Sequence, residues 1–274
     1  MKLLFLVFLY TSTIAQTTDD HIIENFHALS RSKGLINRLS INKLTIEQQK
    51  ISKKILLDTS LYKNYDCGGI EYLIPFFQFI DLDGDKDLDI VFEGKECEGF
   101  ESETTIIYIK KNGKYVKNLE KNGTIVIFTK SNTLTVYEHP CCSMVENKFI
   151  TYSINKDSII EKSNVILFNS YIVVSSSKDY ENMMPTKLKY EKTIELKKET
   201  PIFYVPKDSL EDPTFIKNNN IGFTVNTINT KSYAHYLDAK GQQWAYCLIN
   251  RSDYISNNKN LKYPIVCWIK ITKF

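Results

Sequence analysis

Five aspartates are the residues whose type and spacing point most directly to chemistry. The stretch Phe79-Ile-Asp-Leu-Asp-Gly-Asp-Lys-Asp-Leu-Asp-Ile-Val91 places Asp81, Asp83, Asp85, Asp87 and Asp89 at every second position. Like charges this dense repel one another and keep a segment open unless a cation draws the carboxylates together. Calcium suits them, because a hard ion takes six to eight oxygens from a flexible loop. Gly84 permits the sharp bend that lets the early ligands converge. The apolar runs on either side read as strands, so the expectation is a strand–calcium loop–strand unit whose ion is structural. The bland alternative is an acidic, solvated turn. An EF-hand does not fit: Gly84 comes too early, no helical pattern flanks the loop, and position 12 is Phe92 rather than a bidentate Glu.

Other reactive residues carry weaker signals. Asp66-Cys67-Gly68-Gly69 invites comparison with the Asp-Cys-Ser-Gly of secreted cell-wall cysteine peptidases, where a helix N-terminus lowers the thiol pKa beside a histidine base. Gly68-Gly69 and Pro75 argue against such a helix, and the next histidine, His139, sits beside Pro140 and two cysteines. His139-Pro-Cys-Cys142 makes a poor zinc site, because adjacent cysteines strain a tetrahedral centre and no second ligand pair completes it. The chain contains no Gly-x-Ser-x-Gly elbow, phosphate loop or dinucleotide fingerprint. His21 and His27 read as surface residues of a helix.

Two resemblances follow from these residues. Asp-x-Asp-Gly-Asp-x-x-x-Asp-Ile resembles the calcium loop of FG-GAP and VCBS repeats, the integrin-type β-propeller blades. That resemblance implies ligation by the side chains of Asp81, Asp83, Asp85 and Asp89 and by the backbone carbonyl of Asp87. The glycine usual two places after the first is Lys86 here. The last 75 or so residues resemble a bacterial SH3-like domain. Thr200-Pro-Ile-Phe-Tyr-Val-Pro206 forms an extended opening, Gly241-Gln-Gln-Trp-Ala-Tyr-Cys247 a middle strand and Val266-Cys-Trp-Ile-Lys-Ile271 the close, with Cys267 where a glycine usually precedes the last tryptophan. The resemblance implies a small barrel in which Tyr204, Trp244 and Tyr246 could line a groove for a peptide or glycan. The competing role for Trp244 and Trp268 is core packing.

The N-terminus supplies an address. Met1-Lys-Leu-Leu-Phe-Leu-Val-Phe-Leu-Tyr10 has a charged start and a short apolar run, and Thr13-Ile-Ala15 offers a small-residue cleavage site. This reads as a secretory signal peptide over 1–15, too short to span a membrane. No later run reaches the length of a span, and a bacterial periplasmic or secreted protein is expected. In an oxidising compartment six cysteines favour disulfides. Cys247 and Cys267 fall on two neighbouring expected strands. Cys67 and Cys97 bracket the acidic loop, leaving Cys141-Cys142 as a vicinal pair or as exchange partners of those two. The 35 basic and 32 acidic residues give a net charge of +3, which predicts no nucleic-acid partner.

The elements that must position these groups are mostly strands. With 43% hydrophobic residues, 274 positions suffice for one or two cores. From about Ile22 to Leu57 the pattern is helical; Thr45 with Gln48 forms a capping box, and Ile46, Ile51, Ile55 and Leu56 form an apolar face. From Tyr72 the period becomes that of strands: 72–80, 90–92, 104–109, 114–116, 124–129, 133–137, 149–154, 165–168 and 171–174. Asn112-Gly113 and Asn122-Gly123 mark turns. The expected fold is mainly β. A 16–60 helical segment precedes an antiparallel β domain over 61–195, either a degenerate propeller relative or a sandwich, and an SH3-like small barrel over 196–274. Two functions are consistent with this. One is a non-catalytic exported protein binding a cell-envelope peptide or peptidoglycan; the other is a secreted hydrolase with its active site in the β domain and the tail as a targeting module.

Overall fold

The computed structural model describes residues 19–31, 44–59, 69–95, 103–129, 132–138, 146–156, 158–168, 188–204, 206, 220–226, 228–238, 240–256 and 263–271. The chain divides into two compact units. One takes its residues from Met1–Ala28, Cys142–Phe149 and Ser163–Phe274, the other from Leu29–Cys141 and Ile150–Lys162. This division differs from the expected boundary at 195. The last strands begin their unit at Ser163, and the N-terminal helical residues belong with them rather than with the segment that follows.

Helical residues 19–24 continue through Asn25 into α1 (Phe26–Ser30). The unit holding the acidic loop carries α2 (Ile46–Asp58). Its start is dictated by Thr45: the Thr45 hydroxyl accepts from the Gln48 N–H, and the Gln48 side chain accepts from the Thr45 N–H. Ser52, Ile55 and Leu56 are buried, while Ile46, expected on the same face, is 75% exposed at the first turn. The stretch 72–76 is not the expected strand. It forms α3 (Ile70–Leu73) and a 3₁₀ turn (Ile74–Phe76) with Pro75 in its opening positions, where a fixed φ and a missing N–H cost nothing.

Four strands follow as a meander: β1 (Phe77–Ile80), β2 (Asp89–Lys95), β3 (Glu103–Lys111) and β4 (Lys114–Asn122). Asn112 and Gly113 both take positive φ, +50° and +73°, as the tight β3–β4 turn requires. The sheet is covered on both faces. Phe77, Ile90, Phe92, Ile106 and Tyr108 meet Ile55, Leu56 and Leu73 of the helices. The alternate residues Val91, Ile107 and Ile109 meet Ile125 of β5 (Thr124–Thr129), Leu134 and Val136 of β6 (Thr133–Glu138) and Ile150, Tyr152 and Ile154 of β7 (Glu146–Asn155). Double coverage explains why β2 and β3 carry continuous apolar runs instead of alternating ones.

In the other unit, β8 (Ser158–Phe168) contributes its second half. β9 (Lys192–Leu196), β12 (Ile228–Leu237), β13 (Gln243–Ile249) and β15 (Ile265–Ile271) pair in that order, all antiparallel. Beyond β15 come β10 (Thr200–Phe203), β11 (Asn220–Val225) and β14 (Tyr254–Ser256), while β8 runs parallel to β15. One face of these strands closes on a single apolar cluster that includes Leu196, Ile202, Ala245, Cys247, Cys267 and Ile269. The protein is therefore mainly β with antiparallel and mixed sheets, and among the described residues no sheet closes into a barrel.

Candidate functional site

The acidic loop joins β1 to β2, whose register pairs Ile80 with Asp89. Two backbone positions take left-handed angles there, Gly84 at φ +81° and Lys86 at φ +76°. A non-glycine residue at such an angle costs about 1 kcal/mol or more, so the bend is imposed by its surroundings. Leu82 is one of them: it is fully buried in the cluster with Val91 and Ile107, and so pins the backbone between Asp81 and Asp83. Asn132 is another, donating from Nδ2 to the Asp83 carbonyl at 2.8 Å.

This geometry sorts the five aspartates. Asp81, Asp83 and Asp89 each bring a carboxylate oxygen within 4.8 Å of the others. Asp85 lies beside Asp83 outside that trio, its Oδ1 accepting from the Asp87 N–H at 2.8 Å, and the Asp87 carboxylate pairs with Lys110 Nζ at 3.0 Å. Within the trio, Asp81 accepts from the N–H groups of Gly84 and Lys86 at 2.8 and 3.1 Å, and Asp83 Oδ1 accepts from the Asp85 N–H at 3.1 Å. Asp89 is almost completely buried and accepts from the N–H groups of Leu82 and Lys110 at 3.0 and 2.9 Å. Asp83 Oδ2 is buried with no hydrogen-bond partner among the described residues.

The electrostatics follow from that crowding. Burial pushes the Asp89 carboxyl up to about 6, against the pull of its two N–H donors and with the help of Asp83 and Asp85. Burial likewise raises Asp83, with Asp85 and Asp81 adding repulsion. The Asp87 carboxylate holds the Lys110 ammonium above its usual range.

Three converging carboxylates, one with an orphaned oxygen, fit the donor set of a hard divalent cation. Oxygens on a shell of radius 2.3–2.6 Å lie no more than about 5 Å apart, and the trio meets that limit. Asp81, Asp83 and Asp89 would hold such an ion. It would supply the positive charge that balances their mutual repulsion.

The remaining expected residues are placed differently. Trp244 and Tyr246 are fully buried. The pleat turns them away from the cluster that Ala245 and Cys247 enter, and Tyr204 packs against that cluster, edge-on to Phe168. The three rings are thus not gathered on one exposed surface. Trp244 meets Phe203 edge-on and also borders the cavity lined by Ile194 and Leu237, while Tyr246 lies against Trp268. Cys247 and Cys267 are direct cross-strand partners on β13 and β15, as expected, but they are free, fully buried thiols, raised by burial. The bond between them is not formed. Cys67, Cys97, His139, Cys141 and Cys142 and the 171–174 segment lie outside the described residues.

Lys110 and Asn132 were not foreseeable as partners of the loop. They are 21 and 49 positions from the residues they bind, and neither has a local pattern that marks it. No family model, curated protein or solved structure matches this chain.

Proposed function

We propose that the chain is an exported, non-catalytic β protein whose loop-bearing unit is stabilised by calcium. In this reading its C-terminal strands, an open relative of the SH3-like barrel, bind a cell-envelope component such as a peptide or peptidoglycan. The convergence of Asp81, Asp83 and Asp89 carries the proposal. The left-handed angle at Lys86 supports it, because glycine favours that angle and the FG-GAP and VCBS loops it resembles usually carry glycine at this position. Ligation by Asp85 and by the Asp87 carbonyl, which the resemblance implies, would complete the shell around the trio.

Isothermal titration of Ca²⁺ onto the full chain, with Mg²⁺ as comparison, tests the first half. An exported module of this kind binds with a dissociation constant of about 10⁻⁴ to 10⁻³ M. Absence of binding heat at 10 mM, about tenfold above the weaker limit, removes calcium from the account. Retention of the chain on purified peptidoglycan sacculi tests the second half; recovery no greater than that of an unrelated exported protein rejects it.

A further inference from the structure

The face of β9, β12, β13, β15 and β10 that holds the apolar cluster also carries one histidine. A β-bulge puts it there. Ser232 pairs with Cys247 but Ala234 pairs with Tyr246, so Tyr233 is the extra residue in β12. With unbroken alternation, His235 would stand opposite Trp244 and face away from the cluster. The bulge instead sets His235 opposite Ala245, a member of the cluster. Bulges re-aim side chains in this way beside binding sites.

His235 arrives oriented. Its Nδ1 pairs with the Glu191 carboxylate. Its Nε2 is buried and has no hydrogen-bond partner among the described residues, and the ring lines a cavity of about 860 Å³. With Nδ1–H given to Glu191, the Nε2–H of the imidazolium form is left to donate, and a ligand oxygen that accepts it would satisfy this buried nitrogen. Lys192 reaches the same cavity from the same face, since it pairs with Ser232 and alternates with Ile194 and Leu196. Ile194, Leu196, Leu237 and Ile271 supply the apolar stretch of the lining, and Leu237 is 62% exposed. The lining also holds Thr193, Thr200, Gln243 and the ring of Trp244. Among the other charged residues of the lining, Lys197, Lys198 and Lys270 outnumber Glu195 and Glu199. A concave apolar site of several hundred Å³ with a few convergent polar groups has the form of a small-molecule pocket.

We propose that this cavity binds a straight-chain amphiphile bearing one anionic headgroup, with its chain along Ile194, Leu237 and Ile271 and its headgroup on His235 Nε2 and Lys192 Nζ. The inference rests on the C-terminal strands being a binding module. It does not depend on sacculus retention, which can fail while this binding holds.

The test titrates dodecanoate, below its micelle concentration, onto the full chain by calorimetry. Dodecyl phosphate, dodecanol and dodecyltrimethylammonium are run alongside. One dodecanoate or one dodecyl phosphate per chain is expected, with the neutral and cationic compounds about tenfold weaker or more, as a charge-assisted hydrogen bond predicts. His235→Leu and Lys192→Gln should each weaken the anion by about tenfold. Ile194→Trp should block binding. Lys192 is exposed, so its variant keeps the test decisive if His235→Leu does not fold. Equal affinity for all four compounds, no saturable binding, or an unchanged affinity in Lys192→Gln overturns the proposal.

Discussion

Replacing Asp83 with Asn should change the sign of its effect with calcium. In metal-free buffer the carboxylate of Asp83 stands within 4.8 Å of those of Asp81 and Asp89, and its Oδ2 has no described partner. Each such pair repels by about 1 kcal/mol at water-like dielectric and about 3 kcal/mol at an effective dielectric of 20. Asp83 is partly exposed, so the lower figure applies. The amide keeps an oxygen for the Asp85 N–H, so Asp83→Asn should stabilise the metal-free protein by about 1–2 kcal/mol. Calcium at 100 times its dissociation constant adds about 2.7 kcal/mol to the parent chain, whereas a variant with affinity about 100-fold lower keeps only about 0.4 kcal/mol. The variant should then be the less stable by about 0.3–1.3 kcal/mol. At roughly 2–4 °C per kcal/mol, thermal melts should show Asp83→Asn above the parent in resin-treated buffer and below it in saturating calcium. Asp87→Asn is the control: its carboxylate is engaged by Lys110 rather than by the trio, so its calcium-induced shift should match the parent's. Parallel melting curves for parent and Asp83→Asn in both buffers, or an Asp87→Asn variant that loses the shift as fully as Asp83→Asn, would refute the reasoning.

Three further outcomes are expected. Asp19 has a buried, unpartnered Oδ1, and burial lifts its carboxyl to about 6 against the opposing Ser163 hydrogen bond. A folded-state pKa above the unfolded value means that the native state binds more protons, so stability rises as pH falls from 7 to about 4, by up to about 3 kcal/mol; Asp19→Asn should flatten that part of the urea-midpoint profile, and an unchanged slope contradicts it. Gly123 sits at φ +113° with the Tyr137 carbonyl where a Cβ would go, so Gly123→Ala should cost about 2–4 kcal/mol by chemical denaturation; a loss below about 0.5 kcal/mol would show that the turn relaxes. Cys247 and Cys267, when the protein is made in a reducing cytosol, should resist iodoacetamide in native buffer and react in denaturant, because burial suppresses the thiolate; rapid native labelling would mean that β13 and β15 open locally.

Local chemistry was legible in the amino-acid order because it acts over a few residues. The Thr45–Gln48 box, the Asn112-Gly113 turn, the β-rich middle and the density of aspartates around Gly84 all follow from short-range sterics and charge. Long-range packing decided the rest. The five aspartates are equivalent in spacing, and the burial of Leu82, the reach of Asn132 and the draw of Lys110 gather Asp81, Asp83 and Asp89 with Asp85 beside them and Asp87 drawn off. The aromatic run 72–76 has strand composition, yet coverage by α2 and the placement of Pro75 make it helical. Trp244 and Tyr246 could have lined a groove or filled a core; the pairing of β13 with β15 buries both, and Trp244 still borders a cavity. A one-residue bulge turned His235 inward, reversing the face that alternation alone assigns. Which face of a strand is buried depends on what folds against it, and those partners lie tens of residues away.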